Sequence, residues 1–259
     1  MTVTSRVASV MVALSLGVAS VAAAQAPAPT AAAPTPAPQP TTSPWSLDVG
    51  LGFDNSISGN INSSGIGRLQ GQAVVVTKNS YESVYGTGLH LRFGGGYRLD
   101  NTMEVRATFS FQSLDADLTP MGDIGVSRLY AQYDDYQVFT LDAGLRRYHR
   151  YSPKVQTYGE GTIGLGFIND LNVVLVAPGA NLANYNSDFY DQTATFALGG
   201  NVGVLVDTSP RVGLFGQIGL RWVSGMTAVD DLEGTGLETI NDKSARWTFP
   251  FLVGVRVGF

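Results

Sequence analysis

The last fifteen residues, 245–259, alternate between large apolar side chains and ones that are mostly small or charged. Trp247, Phe249, Phe251, Val253, Val255, Val257 and Phe259 share one parity, and Arg246, Thr248, Pro250, Leu252, Gly254, Arg256 and Gly258 share the other. A period of two means an extended strand with two unlike faces. A strand of a soluble sandwich reads the same way, its polar face to water and its apolar face on a second sheet. Repetition along the chain and the length of each stretch decide between them, because a tilted strand crosses a bilayer in about 9–11 residues.

The pattern recurs over about 45–54, 86–99, 102–113, 136–149, 155–169, 193–207 and 211–225, which with the last stretch makes eight strands. The first sets Trp45, Leu47, Val49, Leu51 and Phe53 against Ser46, Asp48, Gly50, Gly52 and Asp54. Short turns at Asp100-Asn101, Tyr151-Ser152-Pro153-Lys154 and Thr208-Ser209-Pro210 alternate with long polar loops, the first of them interrupted by Val74-Val75-Val76. An even strand count with alternating short and long connections is the layout of a bacterial outer-membrane barrel, turns in the periplasm and loops outside. The expected fold is all-β, an eight-stranded antiparallel up-and-down transmembrane β-barrel over 45–259.

Composition agrees. Charged residues are 14% of the chain, against about 25% in soluble domains. Glycine is 31 of 259 residues, where a share of about 7% is usual. Beyond the N-terminus there is no apolar run of helix-spanning length, and a mean hydropathy of +0.08 excludes a helical membrane bundle. A closed barrel is the other structure that satisfies its backbone in lipid. The chain has no cysteine, so disulfides and thiolate metal sites are excluded. Its formal charge of −5 offers no basic footprint for nucleic acid.

Arg6, the apolar run 7–18 and Ala22-Ala23-Ala24 read as a secretory signal peptide over 1–24. Residues 25–44, almost all Ala, Pro, Thr and Gln, read as an extended periplasmic linker. Trp45, Tyr97, Tyr136, Tyr148, Trp222 and Trp247 lie near strand ends and are expected to form interfacial girdles.

The face opposite the apolar one carries the candidate site. It holds Asp48, His90, Arg92, Arg98, Glu104, Arg106, Asp142, Arg146, Glu160, Asp207, Arg221 and Arg256. Side chains fill the interior of an eight-stranded barrel. Charges confined there must pair, since an unpaired buried ion costs several kcal/mol. The expectation is a charge network that holds the lumen shut, in a protein with a structural or surface-interaction role. A narrow porin-like channel for small solutes remains open as a second reading.

A lipid A-modifying enzyme is the third reading, and the sequence favours no catalytic set for it. His90 is expected to face inward near Ser110, and His149 to sit at the turn-side rim among Arg146, Arg147 and Arg150. No cofactor and no metal are expected. Asp230-Asp231-Leu232-Glu233-Gly234 lacks the ligand spacing of an EF-hand loop.

Recognition by an extracellular protein is assigned to the loops. The second holds Asp115, Asp117, Asp123, Asp134 and Asp135 with Tyr130, Tyr133 and Tyr136. The fourth holds Asp230, Asp231, Glu233, Glu238 and Asp242. Both are expected to form a mobile, solvated and antigenically variable surface. The alternative is that divalent ions bridge their acids to lipopolysaccharide, or that exposed tyrosines bind a host or phage protein.

On its hairpin rhythm, the Tyr158-Gly159-Glu160-Gly161 to Gly166-Phe167 strand and the terminal aromatic, the chain resembles the small eight-stranded outer-membrane barrels, the outer membrane protein A-like, opacity-type and porin-family group. The resemblance covers about 45–259. It implies a monomer in the outer membrane of a Gram-negative bacterium, in contact with outer-membrane lipid and lipopolysaccharide. It also implies that Phe249, Phe251, Val253, Val255, Val257 and Phe259 form the signal read by the barrel-assembly machinery.

Overall fold

Alternation decides where the strands lie, and parity decides which face each side chain takes. The computed structural model describes residues 44–180, 184–241 and 244–259. The signal peptide and all of the Pro/Ala linker except Pro44 lie outside the described residues.

Strand β1 (Trp45–Ser58) leads into a first loop that carries β2 (Asn60–Asn62), β3 (Gly65–Leu69), β4 (Gln72–Val76), β5 (Asn79–Ser80) and the four-residue helix α1 (Tyr81–Val84). The chain returns as β6 (Thr87–Arg98) and turns into β7 (Met103–Leu114). A second loop holds β8 (Thr119–Ile124) and β9 (Ser127–Tyr133), and β10 (Tyr136–Arg150) and β11 (Val155–Ile168) follow. A third loop holds β12 (Leu171–Val176) and β13 (Tyr185–Asp191) before β14 (Thr193–Asp207) and β15 (Val212–Val223). The fourth holds β16 (Thr227–Ala228), and β17 (Arg246–Gly258) ends the chain.

Among the described residues eight strands close into a barrel in the order β1-β17-β15-β14-β11-β10-β7-β6. All its pairings are antiparallel, and the first and last strands seal it, with Asp48 opposite Arg256 and Phe53 opposite Phe251. Closure leaves the barrel no free edge. The barrel strands run 12 to 15 residues, longer than the about 9–11 that a tilted crossing needs.

The faces follow parity. Leu47, Val49, Leu51, Phe53, Phe93, Phe109, Leu141, Leu165, Val202, Ile218, Phe251 and Val253 are exposed on the outside, in a belt that runs round the barrel. A contiguous apolar surface of this extent is far beyond what soluble monomers present to water. Trp45, Tyr97, Trp222 and Trp247 also lie outside, Trp45 edge-on to Tyr97 with ring centroids 4.8 Å apart. Tyr136 and Tyr148 do not join the girdles. They are buried inside, because each shares parity with the inward residues of β10, Val138 and Arg146 among them.

The loops depart most from the sequence expectation. Strands from all four pair into a second, seven-stranded sheet in the order β16-β13-β12-β9-β8-β4-β3. Val173 of the third loop lies opposite Tyr133 of the second, and Val74 of the first lies opposite Ile124 of the second. One face of this sheet is apolar: Leu69, Val74, Val76, Met121, Ile124, Leu129, Leu171, Val173 and Phe189 are all buried in one core. The loop end is thus a packed cap. The loop acids remain exposed, and several stitch loop to loop. Asp134 accepts hydrogen bonds from the Asn172 backbone and side-chain amides at 3.1 and 2.9 Å, and Asp231 accepts one from the Asp188 amide at 3.0 Å. Asp242 lies outside the described residues.

Candidate functional site

Inward glycines make the lumen possible. Many of the inward polar side chains face one in the ladder: Arg92 is opposite Gly50, His90 opposite Gly52, Asp48 opposite Gly94 and Arg106 opposite Gly96 and Gly144. Asp142 is opposite Gly164, Arg221 opposite Gly199 and Arg256 opposite Gly213. A Cβ at Gly94 would run into the Arg106 guanidinium, and one at Gly96 into the Glu104 carboxylate. Missing side chains on one strand admit long ones from the next, so the interior fills without splaying the sheet.

At the turn end the filling begins with Tyr148, Tyr158, Leu205 and Phe215, packed as a small apolar cluster. Above it lies an ionic layer. Glu160 binds Arg146, 2.6 Å from Nη2, and Arg92, and lies 3.3 Å from Arg106 Nε. Arg106 reaches Asp48 at 2.6 Å and Glu104 at 2.7 Å. Arg256 bonds Glu104, the Tyr148 hydroxyl and, at 2.8 Å, Ser46 Oγ. The Arg146 guanidinium also stacks 4.0 Å above the Tyr158 ring. A network in which each charge is paired and most have several partners is the condition under which buried ions are tolerated.

Nearer the loop end, Arg221 grips Asp142 with two bonds of 2.9 and 3.1 Å, the bidentate geometry that arginine forms with carboxylates. At the mouth, Arg246 donates to Ser56 Oγ at 2.9 Å and to Asp54 at 3.4 Å, its guanidinium 4.7 Å above the Tyr136 ring. Tyrosines seal the junction with the cap. Tyr81 donates to Ser244 O at 2.9 Å, Tyr85 to Asp134 O at 2.9 Å, Tyr133 to Asn62 Oδ1 at 2.8 Å and Tyr190 to Ile61 O at 2.6 Å. Helix α1 positions the first two. Ser80 caps it with a reciprocal bond to Ser83, a capping box in miniature.

Of the inward residues named from sequence, Asp48, Arg92, Glu104, Arg106, Asp142, Arg146, Glu160, Arg221 and Arg256 are buried and ion-paired. His90 is buried but stands apart, with no hydrogen-bond partner on either ring nitrogen. Arg98 and Asp207 are half-buried at the turn end, Arg98 over the Tyr148 ring at 4.9 Å and Asp207 accepting from Gln156 at 3.0 Å. Sequence reasoning missed the pair Asp54–Arg246, although both residues sit on the inward parity of their strands. Arg146 also leaves the rim cluster assigned to it, while His149, Arg147 and Arg150 are exposed there. Phe249, Phe251, Val253, Val255 and Phe259 are exposed on the outside, with Val257 half-buried beside them.

Ser110 faces inward beside Arg92 in the ladder, and His90 is opposite Gln112, so the two share the lumen without a hydrogen bond between them. Among the described residues no three of His, Cys, Asp and Glu converge as a metal site.

The closed ladder and its ionic filling define a class: the fold is that of the small eight-stranded outer-membrane barrels. Solved structures to which the chain is similar include neisserial surface protein A, at 14% identity over 84% of this chain and 99% of that one, TM-score 0.46. Ail, the attachment invasion locus protein of Yersinia pestis, matches at 11% identity over 83% and 98%, TM-score 0.38. The outer membrane protease OmpT of Escherichia coli matches at 9% identity over 86% and 99%, TM-score 0.42. No protein-family model matches the chain, and no curated protein does. The barrel assignment rests on the closed hydrogen-bond ladder of this chain itself.

Proposed function

We propose that the chain is an integral outer-membrane protein of a Gram-negative bacterium whose lumen is shut and whose role is structural or in surface interaction. One observation carries this reading. An apolar belt covers the outside of a barrel whose inside is ionic, the inverse of a protein built for water. In that setting the short turns and the linker face the periplasm, and the packed cap stands outside the cell. Outer-membrane lipid and lipopolysaccharide surround the belt, and the aromatic-ended β17 is the segment offered to the assembly machinery. The protein acts as a monomer, and an extracellular protein partner would meet the cap.

Two features support a closed lumen over a narrow solute channel. Crossed salt bridges span the bore, and the hydrophobic core of the cap continues above them. A non-enzymatic role is supported by the position of His90, sealed in the bore away from any acyl chain in the surrounding lipid. Planar-bilayer recordings test the reading. The native protein is expected to give little or no conductance, with Arg92→Ala and Glu160→Gln raising it. A stable open channel in the native protein would favour the porin-like alternative.

A further inference from the structure

Between the Glu160-centred layer and the Arg221–Asp142 pair the packing leaves a gap. It is a cavity of about 10 Å³ bordered by His90, Arg92, Thr162, Gln217 and Arg221, room for one small occupant. Several buried polar atoms of the lining are unpaired, namely both ring nitrogens of His90, Thr162 Oγ1 and Arg221 Nε, and so are both amide atoms of Gln112, the ladder partner of His90. His90, Thr162 and Arg221 are each more than nine-tenths buried. Donors left this way in a protein interior carry an uncompensated desolvation cost, so something is expected to fill the gap.

Charge selects the occupant. Six arginines are buried among the described residues: Arg92, Arg106, Arg146, Arg221, Arg246 and Arg256. Five carboxylates accompany them: Asp48, Asp54, Glu104, Asp142 and Glu160. His90 aside, these buried side chains carry one positive charge too many. The surplus lies in the Glu160-centred layer, where four arginines meet three carboxylates. One of the four, Arg92, also borders the gap, and among the described residues one carboxylate stands in the gap's walls. That carboxylate is Asp142, and Arg221 already occupies both its oxygens. A water molecule would serve the donors and leave the charge. A carboxylate or phosphate group would not fit.

We propose that this gap binds a small monovalent anion of halide size, held by His90, Thr162 and Arg221 and balancing the surplus arginine charge. Gly199 keeps it open: a Cβ there would come within 2.6 Å of Thr162 Oγ1 and 3.9 Å of Arg221 Nη1. Because the bore is sealed at both ends, the ion enters as the barrel forms.

The test uses the full chain refolded into detergent micelles in sodium bromide. Crystals should show an anomalous bromine peak within hydrogen-bond reach of His90, Thr162 and Arg221. An ordered water there without bromine signal would overturn the proposal. In solution, bromide replaces gluconate at fixed ionic strength while the urea midpoint is followed. The midpoint should rise with bromide and saturate, as for any ligand that binds only the folded state. Arg92→Lys should keep the response. Arg92→Met brings arginines and carboxylates level, while Glu160 keeps Arg146, and should abolish it. A native midpoint indifferent to bromide, or an Arg92→Met protein that still responds, would refute the site.

Discussion

Arg146 and Glu160 face each other directly across the β10–β11 ladder, their Nη2 and Oε2 atoms 2.6 Å apart and both side chains sealed from solvent. Glu160 also engages Arg92, so one carboxylate ties strands on opposite sides of the bore. Glu160→Gln removes the charge while nearly preserving the shape. It should cost about 3–5 kcal/mol of stability, the usual penalty for stripping one partner from a buried ion pair. Urea unfolding of the refolded protein measures it, and a loss under about 1 kcal/mol would mean that water already screens the pair.

Glycines on the two faces should behave oppositely. A Cβ at Gly94 meets the Arg106 guanidinium, whereas one at Gly161 meets nothing within 4 Å. Gly94→Ala should destabilise by about 1–3 kcal/mol through overpacking. Gly161→Ala should fall within about 0.5 kcal/mol of native. Parallel unfolding curves in one detergent make the comparison, and equal effects would contradict the assigned faces.

The eight barrel strands were legible because a two-residue period held over a dozen residues survives any local noise. Observed boundaries such as Thr193–Asp207 coincide with the alternation. The cap was not legible. Its strands are two to seven residues long, β8 carries a bulge between Pro120 and Gly122, and its ladders join loops far apart in sequence. Val74-Val75-Val76 was the visible trace of it. The lumen was half legible. Parity put Asp48, Arg106 and Glu160 inside, but which charge meets which depends on reach across the bore, as in Arg146 to Asp48 at 3.3 Å. Tyr148 shows the limit of composition. An aromatic near a strand end suggested an interface, while its inward parity made it a ligand of Arg256.

The cap core makes its own prediction. Phe189 is fully buried, its ring 5.0 Å from Tyr190 and 5.8 Å from Tyr133. Phe189→Ala should cost about 3–5 kcal/mol in the core it leaves. Limited proteolysis should then cut loops that resist in the native protein. Unchanged resistance would show that these loops do not pack as one unit.

Tyrosine ionisation gives the pH dependence. Burial is the largest cause that pushes the Tyr81, Tyr85 and Tyr133 phenols up from their ordinary value, with neighbouring tyrosines adding to it. Above pH about 10 an unfolded chain loses these protons while the folded one keeps them, so stability should fall as pH rises through that range. A spectrophotometric titration should show these three ionising only on unfolding. Their titration at the ordinary value in folded protein would mean that the cap admits water.

The turn at Asp100 should respond at the other end of the scale. Its carboxylate accepts from the Thr102 amide at 2.6 Å, the Thr102 hydroxyl at 2.8 Å and the Met103 amide at 2.9 Å. The Thr102 amide bond is the largest cause that lowers its pKa below the ordinary 3.8. Its stabilising contribution is present above that value and is lost as pH falls through the lower folded one. Carbonyl-carbon NMR of the folded protein should find Asp100 titrating below unstructured aspartates, and coincidence with them would contradict the turn geometry.

The native chain has no cysteine, so single cysteines placed one at a time along 249–255 can each carry a nitroxide in lipid bilayers. Collision with oxygen, which dissolves in lipid, is compared with collision with a water-soluble nickel complex. With Phe251 and Val253 exposed on the outside and Leu252 buried in the bore, a barrel seated in lipid should give high oxygen contact at 249, 251, 253 and 255 and low contact between them, with nickel contact low throughout. Strong nickel contact at 251 and 253 would place that face in water and contradict the account.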